Sequence, residues 1–218
     1  KRPEAIEVLL QKIFEVLHDD KGVHLIGHSD VAVDLARVLS TALETEDSSM
    51  LDRIASLTLL NPAGLKDKVF SLPIISSSLH MSRFLRYVLP AILSKNLIKD
   101  ADEIAFLRSW FRLSLKTPLL RTIREVSDIT RVEIDGLLQA IGEAGIPVSI
   151  IQSAPDTLLY PNGLCEMLVR PNHTINGGNH NGPLIDPARY GGNELLEILS
   201  AAEKNPPVRE KVHGPGRI

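Results

Sequence analysis

Short apolar runs that end in a turn and lead into segments of helical period recur along this chain, and that alternation restricts it to a sheet of parallel strands. The first run, residues 23–26, reads as a buried strand. It passes through Gly27-His28-Ser29 into a segment where Val31, Leu35 and Leu39 fall at helical spacing, so strand gives way to helix within about three residues. Gly27 is expected to supply the backbone freedom for that turn. Upstream, Ile6, Leu9, Leu10, Ile13, Phe14 and Leu17 recur at three- and four-residue steps and predict a helix over residues 3–19, with Pro3 in its first turn. Downstream, residues 55–60 predict a second strand ending in Asn61-Pro62-Ala63-Gly64.

The alternation stops over residues 71–130, where helical stretches at 83–93 and 102–115, punctuated by Pro90 and Pro118, read as a helical insertion. It resumes with a helix over 132–144, a strand over 147–152, a helix around 162–168, a short strand near 173–175 and a final helix over 192–203. The expected organisation is an α/β fold with a mostly parallel sheet flanked by helices. Core portions span residues 1–70 and 131–204, a lid lies between them at 71–130, and a loose Pro- and Gly-rich tail covers 205–218.

At 218 residues, 44% hydrophobic and 23% charged, the chain is long enough for one sizeable core. A net charge of −3 and an aromatic fraction of 4% give neither a field for phosphate backbones nor platforms for bases, which argues against nucleic acid as a partner. Cys165 is the only cysteine, so an internal disulfide and a cysteine-rich zinc site are excluded. The cytoplasm is the default location. No apolar run reaches the roughly 20 residues of a membrane span, and the first segment is amphipathic rather than a secretory signal. Residues 82–99 are basic and amphipathic. They read first as a lid helix packed over the core and second as a membrane-surface contact.

Ser29 has two readings at this point. A serine before a helix commonly accepts a hydrogen bond from an early helical N–H; the same serine at a sharp strand-to-helix turn can be a nucleophile. Asp156 follows the third apolar strand, and His180 lies in the glycine-rich stretch Gly177-Gly178-Asn179-His180 after the fourth. Each alone is an ordinary loop residue. Together they gather where parallel strands present their carboxyl ends, the edge at which ligands bind in such sheets.

On these residues the chain resembles the α/β-hydrolase superfamily. Gly27-His28-Ser29 is similar to its nucleophile elbow, residues 57–63 to the next core strand and its exit, residues 147–161 to the acid-bearing strand and loop, and residues 177–180 to the histidine loop. The order nucleophile, acid, histidine is that of the family, with the insertion between nucleophile and acid, where a lid is expected. The resemblance implies a serine hydrolase in which Ser29 attacks, His180 carries the proton, Asp156 orients the imidazole and the backbone N–H of Asp30 faces the oxyanion. It implies a small-molecule acyl substrate with a hydrophobic part, and no cofactor or metal. The same triad could cleave an amide or a carbon–carbon bond, and a non-catalytic binding protein could retain the fold. Oligomeric state is not indicated.

The chain departs from the family pattern at Val31, where the elbow usually carries glycine; a β-branched residue there is expected to shift the helix or tighten a pocket. The early strands and the loop that supplies the second oxyanion donor are not found before the elbow, and the chain begins with Lys1, so it is expected to be a C-terminal part of a hydrolase, aggregation-prone and nearly inactive alone. Among rivals for the site, His173 precedes the glycine-rich loop, Asp186 follows His180 and would reverse the order, and His24 with His28 makes a poor metal pair.

Overall fold

The computed structural model describes residues 2–17, 22–65, 133–154, 173–177 and 180–204. The expected lid, the helix around 162–168, the tail, Asp156 and Cys165 lie outside these residues.

Among the described residues, four parallel strands form one sheet in the order β1 (Val23–His28), β2 (Ile54–Leu60), β3 (Val148–Ser153) and β4 (His173–Ile175). The helices are α1 (Arg2–Val16), α2 (Asp30–Glu44), α3 (Ser48–Leu51), α4 (Asp135–Glu143), α5 (Gly182–Ile185) and α6 (Gly192–Lys204). Because successive strand residues face opposite sides, Leu57, Leu59 and Ile150 join one core with Leu25, α2 and α4. Leu60, Ile151 and Ile175 join another, against Leu195 and Ile198 of α6. With helices on both faces, β2 is buried almost throughout and is largely apolar, with Ser56 and Thr58 the polar residues in it.

The helix α2 lies at the centre of the larger core. Its buried stripe runs from Ala32 and Val33 through Leu35, Ala36, Val38 and Leu39 to Ala42, and α1 and α4 both pack on it. Ile6, Ile13 and Phe14 carry α1 into the same core, while Val8 and Leu9 remain exposed. The carbonyls at the end of α1 need partners once the helix stops. Arg53, just before β2, donates to the Phe14 and Leu17 carbonyls and stacks over the Phe14 ring at 4.8 Å. A cation is well matched to the negative end of the helix dipole.

Two expectations about the first turn need correction. The strand β1 continues through Gly27 and His28, which pair with Leu59 and Leu60, so Gly27 is a strand residue and Ser29 alone makes the turn, with φ 55° and ψ −120°. Val31 does not press on the sheet: it is 37% exposed, and Ala32 and Leu35 are the residues of α2 that meet the strand at Gly27. A Cβ on Gly27 would stand 2.9 Å from Leu35 Cδ1, 3.0 Å from Ala32 Cα and 3.2 Å from Ala32 N. The close approach expected of a glycine in the helix is therefore achieved from the strand side.

This packing makes Gly27→Val a strong prediction. Leu35 can swing away, but Ala32 Cα and N are helix backbone, so α2 itself has to move. Overpacking of this kind costs about 1–3 kcal/mol, and here it displaces the turn that carries Ser29. Urea denaturation is expected to show that loss; a variant with the parent's midpoint would contradict the close approach.

The helices α3 and α5, four residues each, are not among the elements expected from the sequence. Among the described residues no helix is long and apolar enough to cross a membrane.

Candidate functional site

Parallel strands bring their carboxyl ends to one edge. There β1 ends at His28 and is followed by Ser29, β2 ends at Leu60 and is followed by Asn61, β3 ends at Ser153, and β4 is followed in the chain by Gly177 and His180.

Ser29 sits at the N-cap position of α2, yet its side chain makes no capping hydrogen bond. Its backbone is left-handed, a conformation that costs a non-glycine residue about 1–3 kcal/mol and persists only where the surroundings enforce it. They do so here: the Ser29 N–H donates to the Leu60 carbonyl at 3.1 Å, and its own carbonyl accepts from Ala63 N–H at 3.0 Å. The hydroxyl turns instead to the imidazole of His180, with Oγ 2.9 Å from Nε2. The choice between cap and displayed hydroxyl is thus settled against the cap. In the Nδ1–H tautomer the hydroxyl donates and Nε2 accepts, the alignment a proton transfer from serine requires.

The imidazole is buried while Ser29 is only half-buried. Gly177, with φ 118°, would bring a Cβ to 3.2 Å from the Tyr190 ring, and Gly182 to 3.3 Å. The same ring therefore supports the histidine loop on both sides of His180, and the glycines leave it room.

Asn61, expected from the sequence only as the exit of a strand, is fully buried at this edge. Its Nδ2 donates to the His180 carbonyl at 2.7 Å and to Ser153 Oγ at 3.1 Å, and its Oδ1 accepts from the Ser153 N–H at 2.7 Å. Its φ of 42° is one that asparagine tolerates better than most residues. A polar residue at the end of a buried apolar strand was the available signal. His28, assigned to the elbow, donates through Nε2–H to the same His180 carbonyl at 2.9 Å, its ring centroid 5.0 Å from that of His180.

The rival residues lie elsewhere. His173 opens β4, paired with Ile151. The Asp186 carboxylate accepts from the Arg189 N–H at 3.2 Å, closing the turn after α5. His24 Nδ1 and Ser56 Oγ are 2.8 Å apart across β1 and β2. Among the described residues no group of three or more His, Cys, Asp or Glu side chains is arranged to hold a metal. Asp30, the expected oxyanion donor, is the first residue of α2.

No protein-family profile matches the chain, and no curated protein does. Solved structures do. A carboxylesterase of the ammonia-oxidising thaumarchaeon Nitrososphaera gargenis superposes with a TM-score of 0.56 over 91% of this chain and 73% of its own, at 14% identity. A hydrolase from Oleispira antarctica superposes with a TM-score of 0.51 over 83% of this chain and 66% of its own, at 18% identity.

The chain has the α/β-hydrolase fold. In an α/β-hydrolase fold a sharp strand-to-helix turn displays a strained residue at the top of the sheet; Ser29 stands at the turn between β1 and α2 with φ 55°. Asp156, the acid expected from the sequence, follows β3 in the part of the chain outside the described residues.

Proposed function

We propose that this protein is a serine hydrolase that cleaves a carboxylic ester or a related acyl compound through Ser29, His180 and Asp156. The observation that carries this reading is the 2.9 Å contact between Ser29 Oγ and His180 Nε2, made by a serine in a left-handed turn that does not cap its helix.

A serine hydroxyl is a weak nucleophile at neutral pH. His180 takes its proton as Oγ bonds to the substrate carbonyl carbon, giving a tetrahedral oxyanion. The backbone N–H of Asp30, at the positive end of α2, is the donor proposed for that oxygen. Collapse of the intermediate expels the alcohol, which takes the proton from His180, and leaves Ser29 acylated. Water then attacks the acyl-enzyme with His180 again as base, the bond to Ser29 Oγ breaks as that oxygen takes the proton back from His180, and the acid is released. Asp156 is proposed to hold the Nδ1–H of His180 and stabilise the imidazolium.

The test is turnover of a short-chain nitrophenyl ester beside the matching nitroanilide. An esterase releases nitrophenol with a burst equal to the enzyme present. Preference for the nitroanilide would move the assignment to amide cleavage, and absence of turnover with both would favour a binding protein built on the same fold.

A further inference from the structure

The main-chain carbonyl of His180 accepts two hydrogen bonds from two different strand ends: Asn61 Nδ2–H after β2, at 2.7 Å, and His28 Nε2–H at the end of β1, at 2.9 Å. We infer that Asn61 and His28 are positioning residues for the proposed hydrolysis, a clamp on one backbone oxygen that sets where the imidazole meets Ser29. The inference rests on the serine-hydrolase reading above and adds residues to it.

The reason lies in where His180 comes from. It follows a three-residue strand and the glycine-rich loop, and a glycine-rich segment has more conformations to lose than an ordinary one. Tyr190 supports the loop by packing, which is non-directional. Only hydrogen bonds fix an atom's position along a chosen line, and the His180 carbonyl receives two of them.

The two donors are themselves held. Asn61 is tied to Ser153 through both ends of its carboxamide, and its own N–H donates to the Ile151 carbonyl at 2.9 Å. It therefore registers the histidine against β3, the strand that leads towards Asp156. His28 immediately precedes Ser29 and pairs with Leu60 in the ladder, so its ring registers the histidine against the nucleophile's own strand. A single backbone oxygen thus links the strand of the proposed nucleophile to the strand that precedes the proposed acid.

Displacing a reacting group by about 1 Å costs on the order of 100-fold in rate. Asn61→Gly keeps the left-handed backbone and deletes the amide; His28→Phe keeps a ring of similar size and deletes the donor. With the nitrophenyl ester, each is expected to lower kcat by about 10- to 100-fold with KM changed less than about twofold, since neither residue is assigned a contact with substrate. Ile141→Val, a fully buried core change in α4, controls for lost stability and is expected to leave kcat at the parent value.

Folded Asn61→Gly and His28→Phe proteins with kcat within about twofold of the parent would overturn the clamp, as would a matching fall in the Ile141→Val control. If both site variants fail to fold, these are folding residues and the positioning claim is equally overturned. Ser29→Ala separates the two levels: its inactivity beside a fully active Asn61→Gly removes only the clamp, whereas turnover retained in Ser29→Ala removes the serine-hydrolase reading itself.

Discussion

Ser29→Ala is expected to lower kcat for a short-chain nitrophenyl ester at least about 10,000-fold while the protein stays folded. The backbone bonds from Ser29 N–H to Leu60 and from Ala63 N–H to the Ser29 carbonyl do not involve the side chain, and the hydroxyl contributes no cap to α2. Removing it therefore withdraws the nucleophile and little else. A stability comparison sharpens the point. Alanine at φ 55° keeps the strain of a Cβ in a left-handed turn, whereas Ser29→Gly relieves it, so the glycine variant should be more stable than the alanine variant by about 1 kcal/mol. Both should be equally inactive. A site that exchanges stability for activity in this way behaves differently from a structural cap, whose loss would lower stability without touching chemistry.

The second large effect is expected at Asp156. Asparagine in its place retains the shape but holds the imidazole in the wrong tautomer and removes the charge that stabilises the imidazolium, at a cost of about 10,000-fold in kcat. Asp186→Asn is the comparison that decides the assignment. Asp186 closes the turn after α5 by accepting from Arg189 N–H, so its substitution should leave kcat within about threefold of the parent, the scale of an ordinary surface change. Steady-state kinetics on the two variants test the acid directly. A collapse of activity in Asp186→Asn with Asp156→Asn intact would reverse the choice and break the family's order of residues.

How much of this was legible in the sequence follows from how local each cause is. Strands β2 and β3 stood out because parallel strands buried on both faces must be largely apolar, β1 because its short apolar run leads into Gly27-His28-Ser29, although Ile26 is exposed at the edge of the described sheet, and α2 because its stripe alternates at helical period. The four-residue helices α3 and α5 are too short to show a period. Gly27 was visible as a glycine but not in its role: whether a glycine serves a positive φ or a close contact depends on where α2 lies, and the contact atoms belong to Ala32 and Leu35. The pairing of Ser29 with His180 was anticipated because residue type, chain order and strand-end position agree. Asn61 was missed because its partners, Ser153 and His180, are 92 and 119 residues away, and no local pattern encodes them. The same holds for the hydrogen bond from His28 to a residue 152 positions later.

The central claim is that His180 activates Ser29. Labelling with a fluorophosphonate, followed by peptide mass spectrometry, tests it without knowledge of the substrate, because the reagent's phosphorus is attacked, with loss of fluoride, by a serine made nucleophilic by its surroundings. The label is predicted on Ser29, at a rate that drops by at least about 1,000-fold in His180→Ala. A label on Ser56 or Ser153 instead, or one on Ser29 that forms at the same rate without the imidazole, would contradict it.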